Sequence, residues 1–397
     1  MPGPLHGVRV LDLTTVVMGP FATQILAELG ADVIKVETHD GDNMRHAGPM
    51  VSRDMGYMFL NLNRGKRSLV LDLKQPAGRD ALLRLVARTD VLVYNVRPQA
   101  MARLGLSYEA VRAANSKIIY VGAYGYSQRG PYAAKAAYDD LIQGASGIPA
   151  LSLQQGADAP RYAPVNLADR LTGLHTVYAV TTALFHRERS GQGQAVEVPM
   201  FESVAHFMLG DHTAGLTFEP PRGEPGYARL LARRPYATAD GYLCVLIYND
   251  KQWKSFFDAI GRPEMMTDPR YATQSSRASN IAEIYAALSE LMKTRKTTEW
   301  MTLFEKADIP VARMNSIEDL VADPHLAASG FFETELHPSE GRLRVMRTPT
   351  TWSDTQPGSR RPPPRLGEHS QEILRDAGYS DAQIGEMARA GVTLLAG

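Results

Sequence analysis

The sequence predicts an α/β protein: a doubly wound, mostly parallel sheet domain over residues 1–215, then a smaller α/β domain. Three observations carry this. Short apolar runs alternate with segments of helical period from the N-terminus onward. The chain has 397 residues, more than one core usually serves. The texture changes near Gly215, where Pro220, Pro221, Pro225 and Pro235 interrupt any periodicity.

The elements follow in order. "VRVLDL" (Val8 to Leu13) is a short apolar strand. Gly19 and Pro20 open "FATQILAELG", whose Phe21, Ile25, Leu26 and Leu29 share one helical face, with Gly30 where a C-terminal cap belongs. "ADVIKVE" is the second strand, so the first unit is βαβ and parallel. "RSLVLDL" (Arg67 to Leu73) is a strand, and "QPAGRDALLRLVART" a helix with Pro76 in its first turn. "DVLVYN" and "KIIYVGAYG" add two more strands. From Pro164 to Val198 a long helix places Leu171, Leu174, Tyr178, Thr181 and Phe185 at helical spacing, and Gln194 to Val198 reads as a buried strand. Residues 216–235 read as a linker. "ADGYLCVLIYND" is a hairpin arm turning at Asp240 and Gly241. "DKQWKSFFDAIG" and "IAEIYAALSELMKTRKTTEWMTLFEKA" are helical, so residues 236–329 make the smaller domain. "GSRRPPPRLGEHSQEIL" reads as a Pro-rich surface stretch before a last helix.

Bulk composition excludes several classes. Hydrophobic residues make 44% and charged residues 22%, and Lys plus Arg equals Asp plus Glu at 43 each. That balance predicts neither a nucleic-acid nor a membrane surface. Cys244 is the only cysteine, so no internal disulfide forms and a reducing compartment is expected. The start, "MPGPLHGVRVLDL", lacks a basic n-region and an apolar h-region. No apolar run approaches the ~18 residues of a membrane helix. The expected location is the cytoplasm.

The usual chemical motifs are missing. There is no G-x-G-x-x-G, no Walker A loop and no G-x-S-x-G elbow. The 10 histidines show no zinc spacing, so no metal is expected. "NRGKRS" by itself reads as a solvated basic turn. Asp169 is the residue that stands out, a carboxylate opening a helix of small and apolar residues. One reading is an N-cap that accepts backbone N–H bonds and favours the positive end of the dipole. The other is a reacting group, with the same amides stabilising an oxyanion. "GASG" (Gly144 to Gly147) is either a turn or a place where a substrate approaches the backbone.

Several blocks together resemble the family III CoA-transferases. They are "VRVLDLTTVVMGPFATQILAELGADVIKVE", "NRGKRSLVLDLK", "VYNVRPQAMARLGL", "YVGAYGYSQRGPY", "AAYDDLIQGASG", "LADRLTGLHTVYAVTTALFHRERSGQGQAVEVPMFES" and "RLGEHSQEIL". The resemblance spans nearly the whole chain and implies a Rossmann-like large domain, a small domain, and residues 330–397 returning to the large one. It also implies a homodimer of two interlocked chains. The family's nucleophilic aspartate falls on Asp169. Moving CoA between acids needs a group that can become an anhydride and then a thioester, and a carboxylate can do both.

By the same resemblance, CoA contacts fall on Thr15, Val16, Val17 and Met18 after the first strand. They also fall on Leu71, Asp72, Leu73 and Lys74, on Asn95, Val96 and Arg97, on Arg103, and on Lys135 to Tyr138. Thr38 stands where some members have an arginine. The related racemases exchange a proton at C2 of an acyl-CoA and place a His-Asp pair where this chain has Tyr138 and Asp139, so the transferase reading is preferred. A third reading is a CoA-binding protein without turnover. Formyl-CoA transferases carry a glycine-rich loop where this chain has "GYARLLARRPY", which argues against formyl or oxalyl transfer. Arg229, Arg233 and Arg234 there form either a solvated basic linker or a contact to the distal carboxylate of a dicarboxylic acid. Expected partners are a second copy, an acyl-CoA and a carboxylate, with no nucleic acid and no membrane.

Overall fold

The structure is a computed structural model. It describes residues 2–358 and 361–395, and the side chain of Arg229 also lies outside the description. The chain forms two compact units. The first comprises Met1–Pro149, Arg161–Met208 and Ala328–Gly397, the second Ala150–Pro160 and Leu209–Ala327.

The first unit is built on a six-stranded parallel sheet. Its strands are β1 (Arg9–Leu13), β2 (Asp32–Glu37), β3 (Lys66–Val70), β4 (Val91–Tyr94), β5 (Ile119–Tyr124) and β6 (Gln194–Pro199). Their order, β3-β2-β1-β4-β5-β6, reverses direction between β1 and β4. The helices of this region are α1 (Met18–Glu28), α2 (Tyr57–Leu62), α3 (Pro76–Val86), α4 (Pro98–Arg103), α5 (Tyr108–Ala114), α6 (Asp139–Ala145), α7 (Ile148–Gln154), α8 (Leu167–Ser190) and α9 (Met200–His212). Proline stands in the first turn of both α3 and α4, where a missing N–H costs nothing.

The inner strands are apolar on both faces because both are covered. Along β1, Leu11 and Leu13 join a core with α3 and the C-terminal residues Ile373, Leu374, Ile384 and Met387. Val10 joins the opposite core, with Met18 and Leu26 of α1 and Ala168 and Val180 of α8. The two-residue period of a strand separates the two sets.

Several sequence expectations need correction. The "NRGKRS" segment is not a solvated turn: Asn63, Lys66 and Ser68 have no exposure, and Arg64 and Arg67 are 4% exposed. Gln194 to Val198 is not a buried strand but a half-exposed edge strand, covered by a neighbour on one side alone. "GSRRPPPRLGEHSQEIL" is not all surface, since Pro363 and Pro364 are buried. Their carbonyls accept from His337 Nε2 at 2.9 Å and Arg45 Nη1 at 3.2 Å. Two helices, not one, follow it, Ser370–Asp376 and Asp381–Arg389. On α8 the periodic apolar residues are not the core face, because Leu174, Tyr178 and Phe185 are exposed. The buried face is made of Ala168, Thr172, Gly173, Thr176, Val180 and Ala183.

The second unit contains a three-stranded antiparallel sheet of Tyr236–Ala237, Tyr242–Val245 and Val311–Arg313. The first two strands form the expected hairpin, closed by the Thr238 N–H to the Gly241 carbonyl at 2.9 Å. Trp253, Phe256, Phe257, Trp300 and Phe304 fill its core. Among the described residues no helix is long and apolar enough to cross a membrane.

Candidate active site

In a doubly wound sheet, ligands bind outside the carboxyl ends of the strands, where the strand order reverses. Here that point lies between β1 and β4, and the two following loops are tied to each other. The Asn95 side chain accepts the Thr15 N–H at 3.0 Å and donates to the Thr15 carbonyl at 2.7 Å. Val16 has φ 74°, a conformation costly for a β-branched residue. Its N–H donates to Asp42 Oδ1 at 3.1 Å, which holds the turn in that shape.

A buried charge network lies under this turn. Asp12 and Lys35 are register partners on β1 and β2. Lys66 Nζ reaches Asp12 Oδ2 at 2.9 Å, Asn63 Oδ1 at 2.8 Å and the Pro20 carbonyl at 3.0 Å. Lys35 Nζ reaches the Thr14 carbonyl at 2.9 Å and Asp42 Oδ2 at 2.8 Å. Burial alone would push Asp12 up, but Lys66, Lys35 and the Thr14 and Thr23 hydroxyls hold it at about 2. Burial pushes Lys66 down to about 8 despite Asp12. The sequence reading missed this network. Its signal was a charge inside each of two apolar strands, Asp12 in "VLDL" and Lys35 in "VIKVE".

Asp169 lies in the first turn of α8, but Asn166 holds the N-cap position. The Asp169 side chain therefore does not cap the helix, and the N-cap reading is set aside. Asp139, 9% exposed at the start of α6, accepts the Asp169 N–H at 2.9 Å through Oδ1 and the Gln143 Nε2–H at 2.6 Å through Oδ2. The oxyanion idea is narrowed too. Of the first amides of α8, that of Leu167 donates to Val165 and that of Asp169 to Asp139. Burial raises the Asp169 carboxyl to about 7, the Asp139 charge adds to the rise, and Arg170 opposes it.

Close packing on α1 fixes the first turns of α8, which carry this carboxylate. A Cβ on Gly173 would stand 2.9 Å from the Met18 carbonyl oxygen and 2.8 Å from Phe21 Cδ1, so only glycine lets α8 approach α1 this far. The Arg170 guanidinium lies 4.5 Å from the Phe21 ring centroid. Gly173 is a second residue that the sequence reading did not single out.

The other expected positions fall into three groups. Thr15, Val16, Asn95, Val96 and Arg97 sit at the switch point, with Val17 and Met18 buried so that their side chains face the core. Leu71 to Lys74 follow β3. Leu71 is 1% exposed, and the Asp72 N–H donates to the Val392 carbonyl at 2.8 Å. Lys135 and Tyr138 lie in the exposed stretch after β5, Lys135 Nζ over the Tyr132 ring at 3.6 Å, and Arg103 is exposed at the end of α4. Thr38 is exposed after β2. Arg233 and Arg234 belong to the second unit, directly after the short helix Ala228–Ala232. The Arg229 side chain lies outside the described residues.

A cavity of about 780 Å³ lies at the amino ends of the strands, among Arg9, Asp32, Arg67 and Glu372. It is not where the chemistry is placed. Arg67 there is paired with Asp32 and, at 2.9 Å, with Glu372.

Fold and site together define a class: a doubly wound α/β protein with a shaped turn at the switch point and, at the start of α8, a carboxyl that burial raises to about 7. Comparison with known proteins makes this specific. The CoA-transferase family III model matches residues 5–370. The chain is 36% identical over 384 residues to a succinate–glutarate CoA-transferase of Agrobacterium fabrum, covering 94% of this chain and 95% of that one. It is 33% identical over 420 residues to a formyl-CoA:oxalate CoA-transferase of Afipia carboxidovorans, covering 98% of each. A crystal structure of a CAIB/BAIF family protein from Brucella suis superposes with TM-score 0.80 and 32% identity, over 95% of this chain and 100% of that one. The chain belongs to CoA-transferase family III, and it is an enzyme, a CoA-transferase.

Proposed function

We propose that the enzyme moves CoA from an acyl-CoA to a carboxylic acid through covalent intermediates on Asp169. The Asp169 carboxylate attacks the thioester carbonyl, the C–S bond breaks, and CoA leaves as the thiolate with an acyl-aspartyl anhydride behind it. The thiolate then attacks the aspartyl carbonyl and expels the donor acid as its carboxylate, leaving an aspartyl-CoA thioester. The acceptor carboxylate attacks that carbonyl and expels the thiolate again. The thiolate takes the acceptor's acyl group, and the Asp169 carboxylate is the leaving group. No oxidant and no net proton is needed.

The observation that carries this reading is the Asp169 carboxyl, half-buried in the first turn of α8 with its N–H held by Asp139, and raised to about 7. A carboxylate of that basicity is a better nucleophile than an ordinary aspartate, yet remains a competent leaving group from an anhydride. Asp139 fixes its backbone and raises its basicity. In this reading the pantetheine lies along Thr15 and Val16, the adenine and phosphates along Leu71 to Lys74 and Asn95 to Arg97, and Arg103 and Lys135 face the phosphates.

A dicarboxylate acceptor or donor, of the type in the name of the Agrobacterium relative, suits a chain with arginines at 233 and 234. Leu174, Tyr178 and Phe185 on α8 are 51%, 59% and 63% exposed in the single chain, which supports an interlocked homodimer that covers them. A chain with one cysteine suits the reducing cytoplasm.

The test is intact-protein mass spectrometry after mixing with succinyl-CoA and no acceptor. A CoA adduct on Asp169 that hydroxylamine removes is expected, and Asp169→Ala should show none. Wild-type protein that exchanges CoA with no adduct, or an Asp169→Ala variant of parental rate, would end the proposal.

A further inference from the structure

The proposed chemistry gives no role to Gln143, a wholly buried amide in the middle of α6. Taking an amide out of water is costly unless its N–H groups and its carbonyl find partners. Here they do, and the partners are not scattered. Nε2 donates to Asp139 Oδ2 at 2.6 Å, one turn back on the same helix. The rest of the amide reaches the segment that leads into α8. Nε2 also donates to the Val165 carbonyl at 3.3 Å and the Ala163 carbonyl at 3.4 Å, and Oε1 accepts the Ala163 N–H at 2.9 Å. Residues 155–166 form neither helix nor strand, so this entry to α8 has no ladder of its own to hold it.

Both sets of bonds lead to Asp169. Asp139 passes the tie on through Oδ1, which accepts the Asp169 N–H at 2.9 Å. Val165 passes it on through its carbonyl, which also accepts the Leu167 N–H at 2.7 Å where α8 begins. One side chain thus holds the first turn of α8 from two directions, through α6 and through the incoming backbone. Few residue types fit the place. It needs a donor toward a carboxylate and, on the same group, an acceptor toward a backbone N–H. Glu would set a second carboxylate against Asp139, Asn is a methylene short, and Met fills the space but bonds to nothing. We infer that Gln143 is a positioning residue for acyl transfer, locking Asp139 to the entry of α8 so that the Asp169 carboxyl stays where it attacks. The inference rests on Asp169 being the reacting group.

The experiment follows formation of the covalent adduct and binding separately. Full-length protein is mixed with succinyl-CoA and quenched at intervals, and the hydroxylamine-labile CoA adduct is followed by intact-protein mass spectrometry. CoA itself is titrated by calorimetry. Gln143→Met should slow the adduct about tenfold or more, since a displaced nucleophile is costly, yet leave the Kd of CoA within about twofold. The bonds of Gln143 go to Asp139, Ala163 and Val165, not to the residues assigned to CoA. Asp139→Asn with Gln143→Glu exchanges donor and acceptor and keeps the tie, so this pair should react about fivefold faster than Gln143→Met. Should Gln143→Met not fold, Gln143→Asn carries the same expectation. The inference is overturned by an unchanged adduct rate in the folded variant or by an exchanged pair no faster than Gln143→Met. A CoA affinity that falls as far as the rate also overturns it, because that marks general damage. Wild-type protein that forms no adduct ends the covalent reading and this inference with it; a normal wild-type adduct with any of the three outcomes ends this inference alone.

Discussion

At the scale of single residues, the behaviour of Asp169 follows from where it is buried and what stands next to it. A carboxyl raised to about 7 must lose its proton before it can attack. Turnover with saturating acyl-CoA should therefore rise with pH through about 7 and level off above it. Asp139→Asn removes the neighbouring charge that contributes to the rise, so the same limb should move to lower pH. A pH–rate profile of the two proteins checks this; an unmoved limb would put the cause in burial alone. Stability obeys the same proton. The folded state holds it more tightly than the unfolded chain, so this group's contribution is full below the unfolded value near 3.8 and is lost as pH rises through about 7. Asp169→Asn should accordingly be more stable than the parent at pH 8, by on the order of 2 kcal/mol after allowing for partial exposure, and equal to it near pH 3. Denaturant melts at the two pH values measure the difference.

At the scale of elements, two devices hold the site. The first is the approach of α8 to α1 at Gly173. A methyl group there meets the Phe21 ring and also the Met18 carbonyl oxygen, which is backbone and cannot swing away. Gly173→Ala should push the start of α8 off the β1 turn and lower kcat about tenfold or more while the protein still folds, since small misplacements of a nucleophile are costly. Steady-state kinetics together with a melting curve separate that from general damage. The second device is the ion pair of Lys66 and Asp12, both side chains wholly buried. Lys66→Met takes the hydrogen-bonded cation from Asp12 and leaves Lys35 as the cation near it, and should cost about 3 kcal/mol. The paired change Lys66→Met with Asp12→Asn should recover part of it, which a double-mutant cycle reads directly. Such a network stabilises little against an apolar alternative. Here it holds the Thr14 carbonyl and Asp42, and through Asp42 the strained Val16.

At the scale of the whole molecule, α8 shows what a single chain leaves undone. Its regular apolar stripe at Leu174, Tyr178 and Phe185 faces outward, while its small residues pack inward. The helix is 24 residues long, and its outward apolar stripe is the surface on which the proposed homodimer rests. On that proposal the parent runs as a dimer in light scattering, and Tyr178→Glu combined with Phe185→Glu should shift it toward monomer. A dimer that persists unchanged would remove this stripe from the interface.

Period and composition alone determined the alternation of strands and helices, because a strand buried on both faces must be continuously apolar and a packed helix must repeat near every fourth residue. The hairpin at Asp240 and Gly241 was equally visible, since its turn chemistry is local. Asp169 stood out as a carboxylate where few are tolerated, and the order of the blocks around it marked the family. Only the tertiary structure decided which face of α8 is inside, that "NRGKRS" is buried, and that Asp139 rather than Asp169 serves the helix start. The reason is common to all three. Each depends on a partner distant in sequence, Asp12 for Lys66, Asp139 for Asp169, α1 for Gly173, and a one-dimensional pattern carries residue type but not who stands opposite.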